Sequence, residues 1–462
     1  MITRISDSAV KARWAALFIT LIIAAIGVWN IVRLPIDAVP DITNKQVQIN
    51  TVAPQFGPLD IERLVTFPVE TALAGIEGLE STRSISRNGF SQVTAVFKDS
   101  VDVYFARQQV TERLTQAKVS LPAGVDPQMG PISTGLGEVL MWAVRFSEPP
   151  AVDARVDGAP GWQVDGAFLT LEGERLTDDV AQAAYLRTVQ DWIIRPQMRT
   201  VPSVAGIDSI GGYEKQYVVE PDPARLAAYG ISFSELADAL ERANLSVGAN
   251  FIVRAGEAFL VRADARIRSI EEISDAVIAT REGVPVTVRN VAHVRIGGEL
   301  RTGAATMNGE EVVIGTVLMI TGGNSRTVAA AAAEQLGEIV KTLPPGVEAQ
   351  IVYDRSRLVN ATIATVERNL TEGAILVAVV LFLILGNVRA AIIATLIIPF
   401  SMLMTAIGMN YFGVSGNLMS LGALDFGLIV DGSVIIIENC LRRLAERQHH
   451  EGRLLKLGER LD

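Results

Sequence analysis

The sequence predicts an α+β membrane protein: four transmembrane α-helices and one large aqueous insert of ferredoxin-like α/β units. Three observations carry this. Long apolar runs occur once near the N-terminus and three times near the C-terminus. Between Leu34 and about Val366 there is none, so roughly 330 residues lie outside the membrane. That insert repeats a strand–helix–strand–strand–helix order, the grammar of the split βαβ unit. Composition agrees: 49% hydrophobic residues is too apolar for an ordinary soluble protein, and 20% charged is too polar for an all-membrane one. The formal charge of −10 argues against a nucleic-acid partner. The single cysteine, Cys440, excludes an intrachain disulfide and any cysteine-based metal site.

The elements follow in order. Trp14–Val32 carries no charge and spans about 28 Å as a helix. Arg4, Lys11 and Arg13 precede it, and no small-residue cleavage site follows, so it reads as an uncleaved span with a cytoplasmic N-terminus. In the insert, Gln46–Thr51 alternates like a strand, Leu59–Leu73 has helical spacing opened by Pro58, Ser91–Lys98 is a strand, and Tyr104–Ala117 is an amphipathic helix. Glu148–Asp179 is acidic and turn-rich and reads as an exposed loop or hairpin, and Tyr185–Met198 is helical. Pro223–Asn244 gives two short helices broken and capped at Gly230-Ile231-Ser232. Strand Val312–Met319, helix Thr327–Leu343 and strand Glu348–Tyr353 close the insert. The last three spans read as about Val366–Gly386, Ala390–Phe412 and Asn417–Cys440. Basic residues flank the N-terminus, the Asn387-Val388-Arg389 turn and the segment after Cys440, which puts both termini in the cytoplasm and the insert outside.

The last span is unusual because it holds Asp425, Asp431 and Glu438. A carboxylate at mid-membrane costs about 2.5–3.5 kcal/mol on the translocon scale. Asp431 and Glu438 are seven apart and share a helix face, and Asp425 to Glu438 covers about 20 Å. Such a line of protonatable groups is how proton relays look. The alternative for Glu438 is a helix-end acid snorkelling to the headgroups. No Lys, Arg or His lies between Ala390 and Leu441, so a counter-ion must come from elsewhere; without one, burial favours the neutral acids. Nothing in the chain pairs a nucleophile with a base or builds a phosphate-binding loop, so an enzyme is not indicated.

Leu34-Pro35-Ile36-Asp37-Ala38-Val39-Pro40-Asp41-Ile42-Thr43, Pro68-Val69-Glu70, Arg83-Ser84-Ile85-Ser86, Ala106-Arg107-Gln108-Gln109-Val110 and Ile210-Gly211-Gly212 form a set of stretches. Together they resemble the resistance–nodulation–division efflux pumps of Gram-negative bacteria. Asp425-Phe426-Gly427, Asp431-Gly432 and Glu438-Asn439 resemble the heavy-metal branch, of the cobalt–zinc–cadmium type. Multidrug members usually show adjacent aspartates there.

The resemblance implies an inner-membrane antiporter exchanging a divalent cation (zinc, cobalt or cadmium) for protons, with no resident cofactor. It implies a homotrimer in membrane lipid, working with a periplasmic adaptor and an outer-membrane channel. Asp425, Asp431 and Glu438 become its proton relay. Glu138, in Gly135-Leu136-Gly137-Glu138-Val139, becomes a metal-path acid, with a structural acid at a strand start as the alternative. The histidines are only His293, His449 and His450, and the last two, in an Arg-rich cytoplasmic segment, are read as solvated. The expected division is 1–33 for the N-terminus and first span, 34–135 for a first pore subdomain, 136–200 with 268–365 for a second, 201–267 for a docking subdomain, 366–440 for the remaining spans and 441–462 for a cytoplasmic segment. Family members are about twice this length, so the chain is expected to be the N-terminal part of such a pump. A multidrug or amphiphile exporter part and an inert fragment are the alternatives.

Overall fold

The computed structural model describes residues 12–34, 37, 43–254, 256–264, 266–267, 269–281, 283–299, 303–385, 388–412, 414–417 and 426–453. The first unit begins with β1 (Gln46–Val52) and a helix from Pro58 to Leu73, followed by the hairpin β2 (Leu79–Arg87) and β3 (Phe90–Phe97). Helix Val103–Ala117 and β4 (Pro127–Met129) complete it. The sheet order is β2-β3-β1-β4, all antiparallel, which is the split βαβ arrangement expected from sequence. Val47, Ile49, Val93 and Ala95 on one sheet face pack against Val69, Leu73, Val110 and Leu114 of the two helices. The Asp102 side chain accepts from the N–H groups of Tyr104 and Phe105 and so fixes the start of the second helix.

The second unit repeats this plan with a long insertion. Its strands are β5 (Glu138–Phe146), the short β6 (Gly161–Trp162), β7 (Phe168–Leu169) and β8 (Arg175–Leu176), then β9 (Val204–Ile210). The chain leaves through β10 (Lys215–Pro221), β11 (Ser246–Arg254), β12 (Glu257–Asp264), β13 (Val277–Arg281), β14 (Val284–Thr287) and β15 (Ala292–Gly298). It returns as β16 (Ala305–Met307), β17 (Glu310–Met319), helix Ser325–Val340 and β18 (Val347–Asp354). The sheet runs β17-β5-β18, with β9 and then β16 along the outer edge of β17. Read as β5, β9, β17 and β18, this is the same order as the first unit.

The inserted strands form a unit with its own core, in which Leu226, Leu236 and Ala239 meet Ile273, Ile278, Val288 and Val291. Residues 269–298 therefore pack with the insertion, which is longer than the 201–267 stretch expected from sequence. Its two helices, Pro223–Tyr229 and Phe233–Ala243, are separated at Gly230, which is left-handed, and Ser232 makes a full capping box with Glu235.

Two local expectations change. Leu59–Leu73 and Tyr185–Met198 are not plain α-helices: each contains a π turn, Glu62–Thr66 and Val189–Ile194, shortly before Pro68 and Pro196. Proline has no N–H for the i−4 carbonyl, and the bulge accommodates that gap. Glu148–Asp179 is not simply exposed, because Phe168 and Leu176 enter the main core. Phe168 lies with Phe146, Trp162 and Tyr185 at ring-centroid distances of 4.5, 5.4 and 6.0 Å. Burial, followed by the charges of Glu172 and Glu174, pushes the Tyr185 hydroxyl up to about 12.

Gly212 turns the chain out of β9 with φ +65°, and a Cβ there would lie 2.7 Å from the Ala183 carbonyl oxygen and 2.8 Å from Val313 Cγ2. Gly212→Ala is expected to destabilise the second unit by about 2–4 kcal/mol, from left-handed strain plus overpacking. A chemical-denaturation midpoint within error of the unaltered chain would refute this.

Among the described residues four long helices complete the fold: Arg13–Arg33, Arg355–Leu385, Val388–Tyr411 and Phe426–Glu451. By length and composition, two of the described helices, Trp14–Arg33 and Val388–Tyr411, could cross a membrane. The leading helix exposes Trp14 (76%), Leu21 (67%) and Val32 (79%). Helix Val388–Tyr411 packs against the other three. Gly27 lets the leading helix approach it, since a Cβ there would stand 2.5 Å from Leu403 Cβ. Asn410 Nδ2 donates to Asn30 Oδ1 at 2.7 Å across the same contact.

The bounds differ from the sequence reading at both ends. The second long helix starts at Arg355, eleven residues before Val366, because β18 runs into it without a loop. The last helix continues past Cys440 to Glu451, where Arg442–Glu446 and Arg447–Glu451 add i,i+4 pairs at 3.5 and 3.7 Å.

Candidate functional site

Asp431 and Glu438 lie on one uninterrupted helix, Phe426–Glu451. Seven residues of α-helix are two turns, so their Cα positions stack on one face about 10 Å apart along the axis. Asp425 and the side chain of Asp431 lie outside the described residues. The described neighbour Ile437 packs toward Ala391, Ala394 and Ile398 of the third helix, with Ala374 and Val377 of the second. Glu438, one residue on and about 100° round the helix, is exposed instead, and so is Cys440. The tight helix contact is therefore built from small and aliphatic side chains, and the described acid is carried beside it.

An apolar groove follows the second and third helices, lined by Ala378, Phe382, Val388, Ala391 and Leu396. It carries almost no polar surface, which suits hydrocarbon rather than an ion.

Glu138 sits elsewhere, at the first position of β5, after a 3-10 turn over Gly135–Gly137. The register slips between Val317 and Leu318, which lets both Val139 and Leu140 enter the core and turns Glu138 to the opposite sheet face. That face also carries Asp208 and Met141, which flank Thr316 from the two neighbouring strands. Glu138 is exposed. Sequence reading missed Asp208; its signal was the polar position in the alternating strand Val204–Ile210. Among the described residues no group of three or more His, Cys, Asp or Glu is placed to hold a metal ion. His293 lies opposite Glu220 in the β10–β15 pair, and His449 and His450 are exposed at the end of the last helix. The sheet acids and the helix acids thus belong to different parts of the fold.

The motif residues have structural work. Arg107 Nη1 donates to the Gly130 carbonyl at 2.8 Å, and burial lowers the Arg107 pKa from its ordinary value. Buried Thr66 shares hydroxyl hydrogen bonds with Ser86 (2.8 Å) and Ser91 (2.7 Å). Asp37 accepts from Nε and Nη2 of Arg355 at 3.0 and 2.8 Å. Sequence reading did not foresee this pair, because its members are 318 positions apart.

The AcrB/AcrD/AcrF family model matches residues 5–457. The chain belongs to this family of resistance–nodulation–division transporters. Relatives it is similar to include heavy-metal members. It is 65% identical to the nickel-cobalt-cadmium resistance protein NccA of Alcaligenes xylosoxydans xylosoxydans, over 100% of this chain and 43% of that protein. It is 50% identical to the cobalt-zinc-cadmium resistance protein CzcA of Cupriavidus metallidurans, over 100% of this chain and 41% of that protein. A crystal structure of a heavy metal efflux pump superimposes with a TM-score of 0.80 at 30% identity, covering 96% of this chain and 41% of that one. The chain spans about two fifths of the length of the curated relatives it matches.

Proposed function

We propose that residues 1–462 form the N-terminal part of a proton-driven transporter of the bacterial inner membrane that exports divalent heavy-metal cations in exchange for protons. The observation that carries this is the 65% identity, over the whole of this chain and 43% of the relative, to a nickel-cobalt-cadmium resistance protein. The acids of the last helix supply the proposed chemistry: Asp425, Asp431 and Glu438 take up and release protons along one span. Cobalt is the ion named in common by the nickel-cobalt-cadmium, nickel-cobalt and cobalt-zinc-cadmium relatives, so it is the first cargo to test, ahead of zinc and cadmium. Glu138, with Asp208 on the same sheet face, is assigned to the cation's path outside the membrane. The two ferredoxin-like units act as pore subdomains, and the unit β10–β15 as the docking subdomain toward an adaptor and outer-membrane channel in a trimeric assembly.

The functional test is radioactive cobalt efflux from cells lacking their own metal exporters. Cells carrying the transporter that contains this chain are expected to export cobalt; unchanged retention would overturn the proposal.

The topology is part of it: four spans, both ends cytoplasmic, and the insert outside. In a Cys440→Ser background, Asp238→Cys is expected to react with a membrane-impermeant thiol reagent in intact cells, and His450→Cys only after permeabilisation. Both positions are exposed. Labelling of His450→Cys in intact cells would invert the arrangement.

A further inference from the structure

Among the described residues, a buried ion pair outside the acidic helix is formed by Asp37 and Arg355. Arg355 is 6% exposed, and two of its N–H groups converge on one carboxylate oxygen. Burial alone would lower the Arg355 pKa, but hydrogen bonding and charge from Asp37, with Tyr353 adding, raise it above its ordinary value. The pair is thus a desolvated, charge-assisted contact rather than a surface bridge.

Its place in the fold is what gives it consequence. Asp37 lies four residues past the leading helix, which ends at Arg33. Arg355 is the first residue of the second long helix and directly follows β18, an edge strand of the second sheet. There is no loop between them to absorb movement, and the Asp354 carboxylate accepts from the Ser356 N–H at 2.8 Å, which stiffens the junction. Asp37 also connects through its backbone: its N–H donates to the Gly416 carbonyl at 2.9 Å, in the link between the third helix and the acid-bearing one. One residue therefore touches the exit of the first long helix, the entry of the second and the approach to the fourth.

We propose that Asp37 and Arg355 are positioning residues for transport: a clasp that carries displacement of the second ferredoxin-like unit through β18 to the acid-bearing helix. This rests on the reading of the chain as part of a metal transporter. The clasp must hold while the sheet moves, so that β18, the second long helix and Gly416 shift together. A contact acting this way contributes coupling between distant sites, typically 5- to 150-fold in effect, beyond any contribution to folding.

The test separates the two roles. Asp37→Asn alone removes the counter-charge of a buried guanidinium and is expected to lower protein abundance. The double variant Asp37→Asn/Arg355→Met removes both charges and keeps a long side chain at 355, so abundance and thermal stability should return. If the clasp is purely structural, transport should return with them. The clasp proposal expects instead that cobalt flux into proteoliposomes stays at least about tenfold below the unaltered transporter, while cobalt binding is retained. Full cobalt flux in the double variant would overturn the clasp. The antiport reading is judged separately, from lumenal pH in the unaltered transporter, so a metal flux without proton movement would remove that reading and leave the clasp result standing.

Discussion

Asp431→Asn is expected to reduce metal export to the level of cells lacking the transporter, at unchanged protein abundance. Asp431 lies on a helix whose flanking sequence, Gly427-Leu428-Ile429-Val430 and Val434-Ile435-Ile436-Ile437, is apolar on both sides. At mid-membrane, where the proposed topology puts Asp431, a charge would cost about 2.5–3.5 kcal/mol. The amide keeps the size and hydrogen-bonding capacity of the acid but cannot bind and release a proton. If the acid were only packed there, the amide should leave transport intact or even raise stability. If it carries protons, export should fail while the protein accumulates normally. Glu438→Gln shares the same helix face two turns on, and Asp425→Asn lies six residues before Asp431; both should be severe. Cobalt efflux and a quantified membrane level, measured together, decide between a dead transporter and an absent one. Export near the unaltered rate would show that Asp431 is a structural acid.

Trp142→Ala is expected to destabilise the second ferredoxin-like unit by about 4–8 kcal/mol. Trp142 is fully buried at the middle of β5, between Gly315 of β17 and Ile351 of β18. Its ring lies over Gly315, and any larger residue at 315 would strike it. Its Nε1–H donates to Oε1 of Gln190, itself fully buried in the π turn, at 2.9 Å. Truncation leaves a cavity, typically 3–5 kcal/mol for a large aromatic, and an orphaned amide oxygen at a further 1–3 kcal/mol. The stability of a whole domain is only about 5–15 kcal/mol, so the unit should be largely lost and the protein degraded. Trp142→Phe keeps most of the volume and loses the hydrogen bond, so its cost should be about 1–3 kcal/mol. Protease resistance and thermal unfolding of the two variants give the comparison; equal stability of Trp142→Ala and the unaltered chain would contradict the packing described.

The first unit was legible because its alternation and helical spacing are strong and local: Gln46–Val52, Phe90–Phe97 and Val103–Ala117 lie within a residue or two of their expected bounds. The pattern of the second unit was legible, but its size was not. Ile273 and Val288 look like residues of any core, and nothing local says that they pack on Leu226 rather than on Trp142. The π turns escaped because apolar spacing does not register one extra residue per turn; only Pro68 and Pro196 hinted at them. The acidic helix was visible because carboxylates stand out against an apolar run. The Asp37–Arg355 pair was not, since a long-range ion pair leaves no periodic trace in sequence. Asp208 was hidden for a related reason: it reaches the face of Glu138 only through strand pairing.

In the proposed cycle, metal export is exchanged for protons through the acids of the last helix. It is tested most directly by reconstituting the complete transporter in proteoliposomes with a trapped pH dye and an imposed pH gradient, then adding cobalt. The expected result is cobalt-dependent collapse of the gradient in step with metal movement, and neither response in Asp431→Asn. Cobalt crossing the membrane while lumenal pH stays unchanged would contradict it.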